Sequence, residues 1–342
     1  MRIRIFLGTG GVGKTSVAAA SALREAAGGK KCLALTIDPA LRLRTALGLS
    51  SNSVLQQVTL DPAWASGELW AGILDVKHTL DESVRLHAKP KQAEIVLNHP
   101  IYQALIASLA GMQELLAIER LDQVMQEGFE EIYIDTAPSR HALEFLDKPE
   151  HFSQLVSIPV VRLVGRTYKW WEKTRLMRLG RKSFELYTRV EELLGASMVR
   201  QVLDFFAVFQ SIAEGYGERA KKTLKLLHDP KYCGFTIVTT PSKALRDTEY
   251  FMGELTKRNF HAECLVVNRI WPELALPVKE DAPSEVKRLA AWYRSSSEAH
   301  NKACQQVTQA YQQKMPRIIA VPELPVDIDG LEALRLLGDK IR

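Results

Sequence analysis

The sequence predicts an α/β fold with a doubly wound, mainly parallel β-sheet and a helical insertion subdomain. Short apolar runs that suit buried strands alternate with helical patterns along most of the 342 residues. A glycine-rich turn separates the first run from the first helical pattern, as in a βαβ unit. Two long intervals, 76–128 and 150–228, carry helical patterns with few strand signals. We interpret them as insertions into a single domain that spans residues 1–342.

The elements follow in chain order. Residues 2–7 form the first apolar run, which predicts a buried parallel strand. An alanine-rich segment, Lys14 to Ala27, predicts a helix that ends at the glycine pair 28–29. The next strand is expected to end at Asp38. The later apolar runs end at Asp135, near Thr240, at Asn268 and near Pro322.

Composition narrows the class of protein. The net charge of +5 is mild and does not demand a nucleic acid partner, so we expect none. No signal peptide is recognised, and no uncharged apolar run is long enough to span a membrane. We therefore expect a cytoplasmic protein, with peripheral membrane association left open. Its four cysteines, at positions 32, 233, 264 and 304, stand far apart, so no zinc site is expected.

The first glycine-rich turn, GTGGVGKTS at residues 8–16, fits two phosphate-binding patterns. Gly8, Gly10 and Gly13 match the dinucleotide pattern G-x-G-x-x-G, and Asp38 would then bind a ribose hydroxyl. The same turn also matches G-x-x-x-x-G-K-[ST], the Walker A P-loop, through Lys14 and its neighbour. The two patterns predict different nucleotides.

Two further residue types favour the P-loop. In a P-loop, Lys14 neutralises the β- and γ-phosphates and the Thr15 hydroxyl binds Mg²⁺, whereas a dinucleotide fold has no use for either. Backbone N–H groups from Gly10 to Thr15, at a helix N-terminus, would surround the phosphates. Asp135 ends a buried strand, as a Walker B acid must, and would hold Mg²⁺ through water. The sequence therefore predicts a site for ATP or ADP with Mg²⁺.

Several motifs in a fixed order resemble the ArsA-type ATPase family, a group of deviant Walker A P-loop NTPases. The family includes arsenical-pump-driving ATPases and the ATPase that targets tail-anchored membrane proteins. The resemblance extends over residues 3–338 and is weakest in the helical insertion. The motifs are GTGGVGKTS, TIDPA, DTAPSRHALEFL, VTTPSKALRDTEYFMGEL, VVNR and VPELP…GLEAL.

This resemblance implies roles for single residues. Asp38 resembles the switch I aspartate that orients the attacking water, so Asp38 and Lys14 would be catalytic. Asn268 would read the adenine, and Pro322 begins the loop that would cover it. The switch II residues would be Asp135, Pro138 and Arg140. The remaining nucleotide-binding residues would be Gly8, Thr9, Gly10, Gly11, Val12, Gly13, Thr15 and Ser16.

The chain also departs from the family pattern. Thr9 stands where the family usually has a lysine that reaches the phosphates of a partner subunit, and threonine cannot supply that charge. A lysine-bearing paralogue could supply it instead, which is the alternative we prefer. Otherwise Arg140 could face solvent and pair with Glu144, or act as an arginine finger within the chain. Neither the zinc-binding nor the metalloid-binding cysteines of the family have a match here.

The resemblance implies an ATP-hydrolysing dimer whose nucleotide state is coupled to a membrane-protein client or a membrane pump. The dimer would be a homodimer or a heterodimer with a paralogous ATPase. One alternative is a regulatory nucleotide-binding subunit with low turnover, which the loss of lysine at Thr9 favours. Another is a dinucleotide-binding oxidoreductase.

Overall fold

The computed structural model describes residues 1–37, 42–47, 55–109, 113–137, 143, 146, 215–273, 278–279 and 281–341. The chain divides into two compact units. The first comprises residues 1–74, 123–144 and 224–342, and the second comprises 75–122 and 145–223. The predicted single domain with insertions stays a prediction, and most of the insertion at 150–228 lies outside the described residues.

An eight-stranded sheet lies at the centre of the described part of the first unit. Its strands are β1 (Arg2–Leu7), β2 (Lys31–Thr36), β3 (Leu55–Val58), β4 (Glu68–Ile73), β5 (Glu131–Asp135), β6 (Cys233–Thr239), β7 (Ala262–Ile270) and β8 (Arg317–Pro322). Their order across the sheet is β3-β4-β2-β5-β1-β6-β7-β8. Only the β3–β4 pair is antiparallel. The predicted α/β fold with a mainly parallel sheet is confirmed.

Strand β1 lies in the interior of the sheet between β5 and β6, and its apolar side chains are buried. Ile3, Ile5 and Leu7 are fully buried on one face, while Phe6 packs on the other against Tyr133 of β5. Burial on both faces explains why this strand is a nearly continuous apolar run. Because parallel strands share a direction, the carboxyl ends of β1, β5, β6 and β7 meet at one edge of the sheet.

The labelled helices of the described residues are α1 (Lys14–Ala27), α2 (Arg42–Ala46), α3 (Val76–His87), α4 (Pro90–Leu97), α5 (Pro100–Leu109), α6 (Gln113–Met125), α7 (Ala244–Lys257), α8 (Ser284–Tyr311) and α9 (Gly330–Lys340). Helix α1 has the predicted bounds, and Gly28 is its C-cap. A β-carbon at Gly338 of α9 would lie 3.1 Å from the Ala20 carbonyl oxygen, so small residues let α9 pack closely on α1. No helix among these described segments is long and apolar enough to cross a bilayer.

The second unit contains a buried polar network. The Glu119 carboxylate of α6 accepts hydrogen bonds from the Ser83 hydroxyl of α3 at 2.6 Å and from the Arg219 guanidinium at 2.9 Å. Arg219 belongs to the helical segment 215–228. Burial, with the charge of Arg219, lowers the pKa of His87 beside this network. A buried carboxylate is tolerated when its partners satisfy it, so removing Arg219 would leave an unpaired charge.

Several elements differ from the sequence prediction, either because they were not predicted or because they end elsewhere. Strands β3 and β4 were not predicted, because LQQV is short and polar, and because ELWAGI begins with a glutamate and contains a glycine, both of which are disfavoured in strands. Helix α8 was also missed, since Ser297 and Val307 are its only buried residues and no apolar stripe marks it. Strand β2 ends at Thr36 rather than Asp38, and β7 continues past Asn268 to Ile270.

Candidate nucleotide-binding site

The loop between β1 and α1 adopts a conformation that requires glycine. Gly11 and Gly13 have φ angles of 79° and 84°, in the left-handed region that other residues rarely adopt. Gly13 is also the N-cap of α1, whose first turn has neither a side-chain cap nor an acidic residue. The positive end of the helix dipole and its N–H groups are therefore available to an anion.

Close packing imposes a second requirement for glycine in this loop. A β-carbon at Gly8 would lie 2.5 Å from the backbone oxygen of Val238 in β6 and 2.9 Å from the Val12 side chain. At Gly13 the β-carbon would lie 2.4 Å from Nδ2 of Asn268. The start of the loop is therefore held against the end of β6, and its end against β7.

One carboxylate gathers the polar groups of the site. Asp135, which is 1 % exposed at the end of β5, accepts a hydrogen bond from the Lys14 ammonium at 3.0 Å. Its second oxygen accepts from the Thr15 hydroxyl at 2.7 Å and from the Thr36 hydroxyl at 3.3 Å. Lys14 also donates to the backbone oxygen of Thr136. Lysine, threonine and aspartate from three separate segments thus form one cluster.

Hydrogen bonds to backbone carbonyl groups fix the position of this carboxylate. The Thr136 hydroxyl donates to the Phe6 carbonyl of β1 at 2.8 Å. The Ile37 N–H donates to the Asp135 carbonyl at 2.9 Å, which ties the end of β2 to the end of β5. Neighbouring strands on both sides therefore hold Asp135 where β5 ends.

Asn268 contacts the loop from β7. It is buried, and its Nδ2 donates a hydrogen bond to the Val12 carbonyl oxygen at 2.9 Å. Sequence analysis missed this contact, through which Asn268 helps to hold the P-loop in place. Recognition of the adenine by Asn268 stays a prediction. Pro322 ends β8 opposite Ile270, and Glu323 N–H bonds to the Ile270 carbonyl at 2.8 Å.

Two further residues at the loop were missed from the sequence. The Thr9 hydroxyl donates to a carboxylate oxygen of Asp247 at 2.7 Å, and Asp247 is buried at the start of α7. The Lys243 ammonium lies 3.4 Å from the Gly10 carbonyl oxygen. The available signal was the segment PSKALRD, which follows β6 directly and brings charges to the same edge of the sheet.

Three predicted site residues, Asp38, Pro138 and Arg140, lie outside the described residues. Their roles stay predictions. The others lie on the loop, on α1 or at the ends of β5, β7 and β8, all within the first unit. Val12 is buried within the loop, and Ser16 lies in the first turn of α1.

The residues present suit a nucleotide with Mg²⁺. A threonine hydroxyl and a carboxylate oxygen lie 2.7 Å apart, and oxygen donors are the ligands that Mg²⁺ prefers. Within the described ranges, no cluster of three or more His, Cys, Asp or Glu side chains could hold a metal by itself. Mg²⁺ is usually bound by one or two protein oxygens together with substrate phosphates, and Thr15 and Asp135 have the oxygens for this.

Fold and site together define the class. A parallel sheet whose first strand leads through a glycine loop into a lysine- and threonine-bearing helix, with an aspartate at the tip of an adjacent strand, is a P-loop nucleotide-binding protein. The comparisons narrow the class. The family model described as Anion-transporting ATPase (ArsA_ATPase) matches residues 1–342, and the chain belongs to that family.

Named relatives are ATPases as well. The chain is similar to ATPase GET3C of Arabidopsis thaliana, with 24% identity over 98% of this chain and 80% of the relative. It is similar to ATPase get3 of Schizosaccharomyces japonicus, with 24% identity over 97% of this chain and 90% of the relative. The arsenical pump-driving ATPase of Escherichia coli is 28% identical over 44% of this chain and 26% of the relative. The predicted resemblance and the predicted ATPase class are confirmed at the level of the family.

Proposed function

We propose that this chain binds ATP with Mg²⁺ at the P-loop, hydrolyses it, and uses the nucleotide state to control a partner at a membrane. The cluster of Lys14, Thr15 and Asp135 at the amino end of α1 is the observation that carries the nucleotide site. It combines the positive charge, the helix N-terminus and the oxygen donors that a triphosphate needs.

Each residue of the cluster has a proposed task. Lys14 binds the β- and γ-phosphates, and the loop N–H groups bind oxygens of the same phosphates. Thr15 and Asp135 would hold Mg²⁺, Asp135 through water, and the ion would neutralise charge on the β- and γ-oxygens. Asp38 is proposed to orient the attacking water for in-line displacement. Asn268 and Pro322 are proposed to contact the adenine.

Lys14 and Asp135 form an ion pair with each other, so a bound nucleotide would have to replace Asp135 as the partner of Lys14. Both side chains are almost fully buried, so neither charge can be left without a partner at low cost. A phosphate that takes the Lys14 ammonium competes directly with the Asp135 carboxylate. Asp135 then needs a replacement cation, which suits a proposed role in holding Mg²⁺. The geometry thus favours joint uptake of metal and nucleotide over uptake of either alone.

The partner at the membrane is inferred from relatives. Among them are an arsenical pump-driving ATPase and GET3 ATPases. We infer a cytoplasmic dimer, formed by two copies or with a paralogous ATPase, that acts on a membrane protein or with a pump. A regulatory subunit with low turnover is the second candidate. It is favoured by Thr9, whose hydroxyl donates to Asp247 and which brings no cation to the phosphates.

Phosphate release by the purified protein tests this proposal. We expect ATP-dependent release that requires Mg²⁺, and a rise in the unfolding temperature with ATP or ADP but not with NAD or NADP. Proteins that co-purify with the native chain would identify the partner. Binding of ATP without measurable release, alone or with the co-purified partner, would favour the regulatory subunit. Stabilisation by NAD or NADP instead would contradict the proposal.

A further inference from the structure

Three contacts join the first half of the P-loop to β6 and to the segment that follows it. Gly8 is pressed against the Val238 carbonyl, and the Thr9 hydroxyl bonds to Asp247. The third is the approach of the Lys243 ammonium to the Gly10 carbonyl at 3.4 Å. Gly8 thus packs against the end of β6, and Thr9 and Gly10 each contact the segment after it, so the position of Lys243 relative to the loop is set by its surroundings.

Lys243 stands at a junction of two helices. It is the last residue of the 3-10 helix Pro241–Lys243 and the N-cap of α7. Its side chain is partly exposed. Among the described residues it forms no ion pair with a carboxylate, and a single carbonyl can occupy only one of the three donors of an ammonium. Lys243 therefore has hydrogen-bonding capacity to spare at the edge of the loop.

The neighbouring cationic side chains, Lys14 and Arg246, already have anionic partners. The Lys14 ammonium bonds to both Asp135 and the Thr136 carbonyl from the other end of the loop. The Arg246 guanidinium lies 3.8 Å from the Asp247 carboxylate and is two-thirds exposed. Asp247 in turn accepts from Thr9. The arrangement neutralises Arg246 and leaves Lys243 uncompensated within the part of the chain that is described.

We propose that Lys243 is a further nucleotide-binding residue, which contacts the terminal phosphate of ATP from within the same chain. The proposal rests on the nucleotide site proposed above. Lys14 would reach the β- and γ-phosphates from the α1 side, and Lys243 would approach the terminal phosphate from the opposite half of the loop. Its long side chain can exchange the Gly10 carbonyl for a phosphate oxygen, which binds an ammonium more strongly because it is charged. Since ADP lacks that phosphate, Lys243 would favour ATP over ADP.

Equilibrium binding of ATP and of ADP, each with Mg²⁺, tests this role in the full-length protein. We expect Lys243→Gln to weaken ATP binding about tenfold, or about 1.4 kcal/mol, and ADP binding less than threefold. Lys243→Arg keeps the charge and should restore the preference for ATP. The matched control is Lys257→Gln, at the exposed far end of the same helix, which should change neither affinity. Thermal unfolding checks that each variant is folded, and Lys243→Met serves as a second neutral variant if Lys243→Gln is unstable.

Two results would overturn the inference. One is an unchanged ratio of ATP to ADP affinity, within twofold, in a folded neutral variant. The other is an equal loss for both nucleotides, which would show that Lys243 only supports the loop. If the wild-type protein binds neither nucleotide, the proposed nucleotide site itself fails, and this inference falls with it.

Discussion

At the scale of single residues, Asp135 determines how the site is built. Its two oxygens accept hydrogen bonds from Lys14, Thr15 and Thr36, which lie on α1 and at the end of β2. A short buried strand and the position of an aspartate at its end were visible in the sequence. The partner from β2 was not, because Thr36 resembles any other residue of a buried strand until the sheet order is known.

Gly8 is the residue where we predict the clearest steric effect. The methyl group of Gly8→Ala would lie 2.5 Å from the Val238 carbonyl oxygen. The backbone of β6 could move away only by disturbing its pairing with the neighbouring strands. We expect a loss of about 1–3 kcal/mol in the free energy of unfolding and weaker nucleotide binding. The measurement is denaturant unfolding with and without ATP.

The matched control is Gly253→Ala within α7. Apart from the helix's own backbone, no atom of the described residues lies within 4 Å of the added β-carbon there, and its φ angle is not positive. The substitution should stabilise the protein by about 0.5–1 kcal/mol, because alanine favours a helix interior over glycine. Equal stability changes of the two variants would contradict the steric account of Gly8.

At the scale of elements, charged groups tie the end of α1 to the sheet. Glu25 accepts from Arg24 and from Lys30, each at 2.7 Å, and Lys30 also bonds to Glu131 of β5 at 2.5 Å. Burial alone would raise the pKa of Glu25, but these two cations outweigh it and lower its pKa to about 2. The native state therefore holds Glu25 ionised more strongly than the unfolded chain does.

The lowered pKa of Glu25 predicts how the free energy of unfolding depends on pH. Because the pKa of Glu25 falls from 4.5 when unfolded to about 2 when folded, its contribution is complete above pH 4.5 and is lost as the pH falls toward 2. Glu25→Gln should make the free energy of unfolding depend less on pH across this window. Unfolding by denaturant at pH 7, 4.5 and 3 measures it. Parallel pH curves for the variant and the wild type would refute the assignment.

Element prediction from sequence succeeded where burial is uniform. The buried strands β1, β5 and β6 and the alanine-rich α1 have apolar patterns that fit only one type of secondary structure. Edge strand β3 and helix α8 carry little buried surface, so composition gave no signal for them. The contact of Asp247 with Thr9 joins residues 238 positions apart, and only the placement of β6 beside β1 brings them together.

At the scale of the whole molecule, the residue at position 9 bears on the proposed assembly into a dimer. Thr9 brings no positive charge to the site, so a homomer should hydrolyse ATP slowly, and a lysine-bearing paralogue should raise the rate. Thr9→Lys should raise turnover of a homodimer, if one forms, or of the partner's site, and Arg140→Ala should change it little. The control is Thr9→Val, which removes the bond to Asp247 without adding charge. Steady-state phosphate release gives the turnover rate of the wild type and of the three variants.

An opposite pattern would reverse this interpretation. An arginine finger is worth a factor of about 10³ or more in rate. A loss of that size in Arg140→Ala, with no gain from Thr9→Lys, would place the finger in the same chain and remove the reason to expect a paralogue.

The proposed nucleotide site depends above all on Lys14 binding the phosphates of ATP. Titration of Lys14→Ala with ATP and Mg²⁺ is the direct measurement of this role. Because this substitution leaves Asp135 buried without its partner ammonium, Lys14→Gln is titrated in parallel, and thermal unfolding confirms that both are folded. We expect either variant to bind ATP at least about a hundredfold more weakly than the wild type. Binding within a factor of about two, a difference below about 0.5 kcal/mol, would contradict the assignment of the P-loop.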